Sequence, residues 1–314
     1  MKLLVTGGLG YVGGRFAGML AANSGIQLTL TTRRDIARVA WAPAATVAMV
    51  DPGDEARLAR LCQGVDAVVH LSGMNAAECK RDPAAALAVR VLGITTLLRA
   101  AASQGVARLI YVSTAHVYGA ALSGTVTEQT AARPDHPYGV SHLAAEQVVR
   151  SARPQIDGIV ARLSNTFGAP IDASADCWSL VTNDLCRQAV NTRRIELRTA
   201  GRQHRDFIAM SEACRALLFL CRLPRERESD ATFNIGGDSS TLIEVAGRIA
   251  TRVDALLGFR PEIHAGTAED TVGTGDLAFR SEKLRAAGFE PDSAAPRAEL
   301  DELIYFCARN GVSP

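Results

Sequence analysis

The chain has 314 residues, of which 47% are hydrophobic and 21% are charged. This composition is enough to bury a full hydrophobic core, in one large domain or in two unequal ones, and it excludes a disordered chain. The 34 basic and 33 acidic residues leave a net charge of +1, so the sequence lacks the excess charge typical of proteins that bind nucleic acid or anionic membranes.

The start of the chain and its cysteines lead us to expect a cytoplasmic protein. The first apolar residues run straight into a glycine-rich turn, which leaves no segment there long enough for a signal peptide or a membrane span. The seven cysteines form no Cys-x-x-Cys pair and have no histidine at metal-ligand spacing. We expect reduced thiols, partly in the core, and no bound metal.

Short apolar runs alternate with helical stretches over the first half of the chain. The runs are Leu3 to Val5, Leu28 to Leu30, Thr46 to Val50, Ala67 to Leu71, Leu109 to Val112 and Ile159 to Ala161. This alternation predicts an α/β fold with a doubly wound parallel sheet of the Rossmann type. The clearest helix is expected to start at Asp82 and Pro83, to tolerate Gly93, and to end before Gly105.

Beyond Arg162 the alternation fades. Helical patterns around Trp178 to Val190, Leu242 to Leu257 and Arg297 to Ala308 are separated by looser polar stretches, and residues 224–230 have the composition of a surface loop. We predict a dinucleotide-binding domain over residues 1–166, to which residues 205–236 return. A smaller α/β substrate lobe would then comprise residues 167–204 and 237–314.

Residues 6–13 read Thr-Gly-Gly-Leu-Gly-Tyr-Val-Gly, follow an apolar strand and open a helix. Because Gly7, Gly10 and Gly13 have no side chains, they allow a tight turn and close packing of strand and helix. The free N–H groups and the dipole of the helix that starts near Tyr11 and Val12 attract pyrophosphate. The segment therefore predicts a dinucleotide site.

The second predicted strand ends at Thr32, Arg33 and Arg34, about 20 residues after the last glycine of the turn. Domains that prefer NAD usually have an acidic residue there, whereas a hydroxyl followed by two guanidinium groups suits a 2′-phosphate. We therefore predict NADP, with NAD as the less favoured cofactor. Two alternatives remain open, because Asp35 is close enough to bind the ribose and paired arginines at a strand end are often plain surface.

Several segments, in order along the chain, carry a resemblance to a known family. They are Thr6 to Gly13, Asp51-Pro52, His70 to Gly73, Val91 to Gly93, Val112 to Gly119, Pro137 to Glu146, Arg162 to Gly168, Arg205 to Phe207 and Asn234 to Gly237. Together they resemble the extended short-chain dehydrogenases/reductases that act as nucleotide-sugar epimerases, dehydratases and reductases. The residues that this resemblance places at the cofactor are Asp51 with Pro52 at the adenine, and Leu71, Ser72, Gly73 and Leu163 along it.

The resemblance also implies the catalytic residues. Tyr138 matches the tyrosine whose phenolic proton is given to a carbonyl oxygen, or is taken from an alcohol in the reverse direction. Thr114, with Ser113 beside it, matches the hydroxyl residue that hydrogen-bonds the reacting substrate oxygen. Both hydroxyls are candidate substrate contacts.

His142 departs from the family pattern, which has a lysine four residues after the tyrosine to hold the nicotinamide ribose and lower the pKa of the phenol. A histidine, with an ordinary pKa of about 6.5, is mostly neutral near pH 7. Either His142 binds the cofactor and relays a proton in an active enzyme, or the chain is a cofactor-binding relative with little turnover. We favour the enzyme, because Thr114 and Tyr138 are both present. Arg90 is a second departure, since the family usually has asparagine there.

Asn165 and Arg205 are the candidate substrate residues. By resemblance, Asn165 contacts the sugar or phosphate of the substrate, and Arg205 is a diphosphate clamp because a guanidinium can bridge two phosphate oxygens. Arg280 stands where the family has an acidic residue in its last phosphate-binding stretch, so another ketone or alcohol substrate remains open.

We therefore predict an NADP-dependent oxidoreductase or epimerase-type enzyme. It would transfer hydride between the nicotinamide and a carbonyl or alcohol carbon of a nucleotide-linked sugar, with a ketoreductase as the preferred subtype. The alternative is a sensor or scaffold that binds the cofactor without turnover. The family implies a homodimer, which pairs through the helices after Asp82 and from Tyr138, and no nucleic-acid or membrane partner is expected.

Overall fold

The computed structural model describes residues 1–22, 25–224, 231–268 and 273–311. Its strands are β1 (Lys2–Thr6), β2 (Gln27–Thr32), β3 (Thr46–Met49), β4 (Ala67–His70), β5 (Arg108–Thr114), β6 (Gly124–Val126), β7 (Asp157–Leu163), β8 (Asn165–Phe167), β9 (Arg194–Glu196), β10 (His204–Ala209), β11 (Thr232–Ile235), β12 (Asp238–Thr241), β13 (Glu262–His264) and β14 (Leu277–Phe279). Its helices are α1 (Tyr11–Ala21), α2 (Glu55–Leu61), α3 (Ala76–Arg81), α4 (Pro83–Ser103), α5 (Pro137–Ser151), α6 (Val181–Asn191), α7 (Met210–Arg222), α8 (Leu242–Leu257), α9 (Glu282–Ala286) and α10 (Ala295–Asn310), and Ala115–Tyr118 form a 3-10 turn.

A seven-stranded sheet with the order β11-β7-β5-β4-β1-β2-β3 forms the centre of the first unit. Parallel pairing joins β1 to β2 and β4, β2 to β3, β4 to β5, and β5 to β7. Every residue of β5 and β7 is buried, as expected for parallel strands covered on both faces. The order 3-2-1-4-5 is that of a Rossmann sheet, and it confirms the predicted fold class.

Helix α4 shows how local sequence determines an element of this unit. The carboxylate of Asp82 accepts a hydrogen bond from the backbone N–H of Ala85 at 2.9 Å, and Pro83 occupies the first helical position, where it needs no donor. The helix continues through Gly93, as predicted, and Gly105 follows its end with a φ of +69°. This helix therefore has the bounds that its caps indicate.

Helix α4 is also long and apolar enough to cross a membrane, with a mean hydropathy of 1.6. Core helices of soluble proteins meet the same criterion, so the observation is weak. Ile94, Leu97 and Leu98 belong to the buried cluster of the first unit, and Arg90 is buried on the same helix. We interpret α4 as a core helix.

The second unit has smaller sheets and a separate core. In one sheet β10 pairs antiparallel with β12 and parallel with β8, and two further parallel pairs join β13 to β9 and β14 to β6. Its core packs α6, α8 and α10 against β10 through Leu185, Ile249, Ile304 and Phe207. This is the smaller α/β part of the chain that the fading alternation indicates.

The contacts divide the chain at positions that differ from the predicted bounds. The first unit comprises Met1–Gly119, Ala131–Leu163 and Cys214–Phe233, and the second comprises Ala120–Thr130, Ser164–Ala213 and the chain from Asn234 onward. The return to the first unit starts at Cys214, not at residue 205, because β10 pairs with β8 and β12. Residues 120–130 join the second unit because β6 pairs with β14. Of the predicted surface loop over 224–230, residues 225–230 lie outside the described residues.

Candidate active site

The glycine turn between β1 and α1 brings backbone segments into close contact. Gly7 has a φ of +70°, in the left-handed region, and a Cβ atom on it would lie 2.9 Å from the carbonyl carbon of Leu71. A Cβ atom on Gly13 would overlap the carbonyl oxygen of Gly7. Gly10, which caps α1, donates its N–H to that oxygen at 3.0 Å, and Tyr11 starts the helix. The turn therefore exposes a helix N-terminus of the kind that binds phosphate.

A cavity of about 310 Å³ lies against this turn within the first unit. The predicted cofactor residues that line it are Gly7, Gly10, Thr32, Arg33, Arg34, Pro52, Leu71, Ser72 and Gly73. Asp51 is exposed and is not among the lining residues; its Oδ1 accepts a hydrogen bond from the N–H of Gly53 at 2.7 Å. The structure thus uses Asp51 to shape the turn that carries Pro52.

Arg33 and Arg34 line this cavity from the end of β2, but both are exposed. The Nη2 of Arg34 donates to the carbonyl oxygen of Leu9 at 3.3 Å, and its backbone N–H donates to the hydroxyl of Thr32 at 3.0 Å. Part of the hydrogen-bonding capacity that was assigned to a 2′-phosphate is therefore used within the protein. This is the surface setting that the sequence left open as an alternative.

Thr114 and Tyr138 come together where β5 ends and α5 begins. The hydroxyl of Thr114 accepts a hydrogen bond from the N–H of His116 at 3.2 Å, and the side chain of Thr114 faces that of Tyr138. The backbone N–H of Tyr138 donates to the Nδ1 of His136, which caps α5. Burial raises the pKa of Tyr138 above its ordinary value. Leu163, the end of β7, pairs in register with Thr114 at the same sheet edge.

His142 lies one helical turn after Tyr138, and the centroids of their rings are 4.6 Å apart. Its Nδ1 is 2.9 Å from the phenolic oxygen of Tyr111, whereas its buried Nε2 has no hydrogen-bond partner among the described residues. Burial, and next the positive charge of Arg90, hold the pKa of His142 well below its ordinary value. The imidazole is therefore neutral near pH 7 and cannot supply the charge of a lysine.

Arg90, the second departure from the family pattern, is buried beside Tyr138. Its Nε donates to the hydroxyl of Ser141 at 3.1 Å and its Nη2 to the carbonyl oxygen of Met74 at 2.8 Å. The Cζ atom lies 5.5 Å from the centroid of the Tyr138 ring, and the positive charge of the guanidinium also acts on the phenol of Tyr111. Among the described residues no carboxylate forms an ion pair with it.

Ser113 lies in a different polar cluster, which we call the Glu146 cluster: Ser113, Tyr118, Glu146 and Arg162. The hydroxyl of Ser113 donates to the carboxylate of Glu146 at 2.6 Å, and Arg162 binds both oxygens of that carboxylate at 2.6 and 3.0 Å. Arg162 also donates to the phenolic oxygen of Tyr118 at 2.9 Å. Because its proton is directed into the core and it is 3% exposed, Ser113 has a structural partner in place of the predicted substrate.

In the second unit, the two candidate substrate residues lie on neighbouring strands. Asn165 starts β8, and its Nδ2 donates to the backbone oxygen of Asp206 at 2.8 Å. Arg205 lies on β10, is half-buried and donates to the Oε1 of Gln203 at 3.3 Å. Burial lowers the pKa of Arg205, as expected for a cation without an acidic partner.

Sequence reasoning missed a row of polar rings at the ends of the central strands. His70 on β4 pairs in register with Tyr111 on β5, and their ring centroids are 5.9 Å apart. The Nδ1 of His70 lies 2.7 Å from the hydroxyl of Thr6, and burial lowers its pKa to about 3. The available signal was a polar residue near the carboxyl end of two otherwise apolar strands, where α/β sheets bind ligands.

Comparisons with known proteins give relatives of one chemical type. The chain is 25% identical to a dTDP-glucose 4,6-dehydratase of Streptomyces niveus over 265 residues, which cover 79% of this chain and 76% of the relative. It is 29% identical to a UDP-glucose 4-epimerase of Azospirillum brasilense, with 84% of each chain covered. The names of both relatives describe enzymes that act on nucleotide sugars.

Solved structures agree with this result. MoeE5 in complex with UDP-glucuronic acid and NAD is 25% identical, with a TM-score of 0.80 and coverage of 98% of this chain and 99% of that one. The same protein with UDP-glucose and NAD is 26% identical, with a TM-score of 0.78 and full coverage of both chains. The sequence pattern described as the NAD dependent epimerase/dehydratase family matches residues 3–236. The chain therefore belongs to this family of NAD-dependent enzymes, the nucleotide-sugar branch of the extended short-chain dehydrogenases/reductases that the motifs resemble.

Proposed function

We propose that the chain is an NAD-dependent enzyme that oxidises and reduces a carbon of a nucleotide-linked sugar. The observation that carries the proposal is the position of Thr114 at the end of β5 beside Tyr138 at the start of α5, in the unit that also contains the glycine turn. A phenol and a hydroxyl so placed can exchange a proton with one substrate oxygen and fix its position. The substrate class is supported by the dehydratase, the epimerase and MoeE5.

The residues present fit a dinucleotide. The turn at Gly7, Gly10 and Gly13 leaves space that a Cβ atom would fill, and the buried Nε2 of His142 has no partner in the part of the chain that the structure describes. When bound, the nicotinamide supplies the carbon that takes up or returns hydride. The residues that would hold the cofactor are Gly7, Gly10, Tyr11, Val12, Gly13, Thr32, Pro52, Leu71, Ser72, Gly73, Tyr138, His142 and Leu163.

The hydrogen bond between Tyr111 and His142 leaves one imidazole nitrogen for a ligand. The phenolic oxygen of Tyr111 lies 2.9 Å from the Nδ1 of His142. When this phenol donates to Nδ1, the neutral imidazole carries its hydrogen on Nε2. We propose that His142 then offers this N–H to an oxygen of the ribose, and that Tyr138 handles the substrate proton.

We propose NAD as the cofactor, in place of the NADP predicted from Thr32, Arg33 and Arg34. The complexes of MoeE5 contain NAD, and the two arginines are exposed, with Arg34 bonded to the glycine turn. The preference for a ketoreductase depended on NADP and is not retained. Epimerisation and dehydration are the reactions that the named relatives favour.

The nucleotide part of the substrate is assigned to the second unit. Arg205 is a half-buried cation without a carboxylate in contact among the described residues, which suits a diphosphate. Asn165 retains its side-chain oxygen as an acceptor after donating to Asp206. We therefore propose a nucleoside diphosphate sugar as the substrate.

The test is turnover of nucleotide sugars by the purified chain. UDP-glucose, UDP-glucuronic acid and dTDP-glucose are each incubated with NAD, and the products are identified by chromatography and mass spectrometry. Conversion of one of them supports the proposal. NAD binding by calorimetry without any conversion contradicts it and favours the sensor or scaffold. His142→Ala and His142→Lys sharpen the result: loss of turnover in the first and partial retention in the second indicate that residue 142 must hold the cofactor.

We also propose a cytoplasmic homodimer. Leu87 and Leu92 on α4 and Val140 on α5 are 42%, 65% and 45% exposed, and a second copy on this face would cover them. The seven buried thiols suit a reducing compartment. Light scattering should give the mass of a dimer for the wild type and of a monomer for Leu92→Glu; a monomeric wild type contradicts the dimer.

A further inference from the structure

We propose that Arg90 is a positioning residue that supplies, from helix α4, the positive charge that Tyr138 needs to act as an acid and base. This inference deepens the proposed function and rests on it. It connects the two departures from the family pattern, Arg90 and His142, into one arrangement. The positive charge would come from α4, whereas in the family pattern it comes from the helix that carries the tyrosine.

The geometry places the guanidinium against the face of the phenol. The Cζ atom of Arg90 lies 5.5 Å from the centroid of the Tyr138 ring, and bonds to Ser141 and Met74 hold the side chain in that place. A cation within about 6 Å of a ring is attracted to it, and the attraction grows when the phenol loses its proton. Arg90 is 4% exposed, so water screens this interaction little.

The groups around Tyr138 leave Arg90 as the permanent positive charge. The titratable or polar groups that face the ring from the packed elements are Cys79 on α3, Arg90 on α4, Tyr111, Thr114 and His116 on or after β5, and His142 on α5. His142 is buried and neutral near pH 7, whereas the guanidinium of Arg90 keeps its charge. Arg90 opposes the effect of burial on the pKa of Tyr138.

The charge of Arg90 is also uncompensated in the protein itself. Among the described residues it donates to a hydroxyl and a carbonyl, and to no carboxylate. A buried cation without an anion is costly. The phenolate of Tyr138 is the anion that this site can form, so removal of the proton from Tyr138 completes an ion pair.

The test is a spectroscopic titration of Tyr138 without substrate. Tyrosinate absorbance is measured against pH for each protein and for the same protein with Tyr138→Phe, and the difference isolates Tyr138. We expect Arg90→Gln to raise the pKa of Tyr138 by roughly one unit or more, and Arg90→Lys to keep it near the wild-type value. Arg99→Gln, on the exposed side of the same helix, is the matched control and should change nothing. An unchanged pKa in Arg90→Gln would overturn the inference.

A second measurement covers the case in which Arg90→Gln does not fold. His142→Lys places a second cation beside Arg90 and should lower the thermal midpoint, and adding Arg90→Asn should recover part of that loss. A double variant no more stable than His142→Lys overturns the inference. Because neither measurement needs turnover, the pKa shift can be present when no nucleotide sugar is converted, and the two proposals fail separately. If turnover is found, the pH at which kcat/KM rises on the acid side of its pH profile should increase in Arg90→Gln, together with the pKa of Tyr138. In Arg90→Lys this pH should be close to the wild-type value.

Discussion

Two buried polar clusters share helix α5, and they differ in how their charges are balanced. In the Glu146 cluster a carboxylate and the guanidinium of Arg162 bind each other through two hydrogen bonds, a hydroxyl and a phenol bond to this pair, and Arg150 lies 3.5 Å from the carboxylate. In the ring cluster, which comprises Arg90, Tyr111, Tyr138 and His142, the guanidinium has no carboxylate and one imidazole nitrogen has no partner among the described residues. The charges of the first cluster are balanced within the protein, whereas we propose that a ligand or a chemical step completes the second.

The largest expected effect is on turnover in the ring cluster. Tyr138→Phe removes the phenolic proton that we propose the site exchanges with the substrate oxygen, and it keeps the ring beside Arg90 and His142. We expect kcat to fall by about 10³-fold, within the usual range for loss of a general acid or base, while NAD affinity changes little. Steady-state kinetics on the converted nucleotide sugar measure the first quantity and calorimetry the second. Retention of a tenth of the activity would mean that another group carries the proton.

The Glu146 cluster should instead respond in stability. Glu146→Ala leaves the guanidinium of Arg162 buried without its anion, and removal of one partner of such a pair costs about 3–5 kcal/mol of unfolding free energy. Urea unfolding measures it. The matched control is Glu55→Ala, which breaks the exposed pair with Arg99 and should cost less than about 1 kcal/mol. Equal losses in the two variants would contradict the distinction.

The pH dependence of stability should separate the clusters further. Burial holds the pKa of His70 at about 3 and that of His142 well below its ordinary value. Above about pH 6.5 these two histidines are mostly uncharged in both the folded and the unfolded chain. Below that pH the unfolded chain binds protons at these histidines, whereas the folded chain does not. Stability therefore falls with decreasing pH, by about 2 kcal/mol per histidine at pH 5.

A variant assigns one part of this loss to His142 in the ring cluster. His142→Gln should lessen the fall in unfolding free energy between neutral pH and pH 5 by about 2 kcal/mol, since glutamine does not titrate. His264→Gln is the control, because that histidine is exposed and lies in the second unit. An equal pH dependence in the wild type and in His142→Gln would show that His142 takes up its proton in the folded protein.

The smallest expected effect is at the other end of the cofactor cavity. Because Arg33 and Arg34 are exposed, replacing both by alanine should weaken NAD binding only a few-fold. In calorimetry, the wild type should bind NAD at least as tightly as NADP. Tighter binding of NADP that is lost in the double variant would restore the prediction made from the sequence.

The structural elements that are determined by residues close together in the sequence were predictable. The glycine turn, the caps of α4 and the parallel strands follow from residue types a few positions apart. Thr114 and Tyr138 came from resemblance, and the structure brings them together. The role of Arg90 was not predictable, because it depends on contacts with Met74, Tyr111 and Ser141, which the fold of β5, α4 and α5 brings to it. The prediction of NADP is not supported, because the residue types at positions 33 and 34 do not reveal that both arginines are exposed.

Gly73 has one more consequence for this arrangement. A Cβ atom at this position would collide with the guanidinium of Arg90, so even Gly73→Ala would push that group from its place over the phenol. The residue types that positions 73 and 90 can hold therefore depend on each other. Any redesign of the cavity wall at position 73 therefore has to consider position 90 with it, and we expect a larger residue at 73 to displace the guanidinium of Arg90.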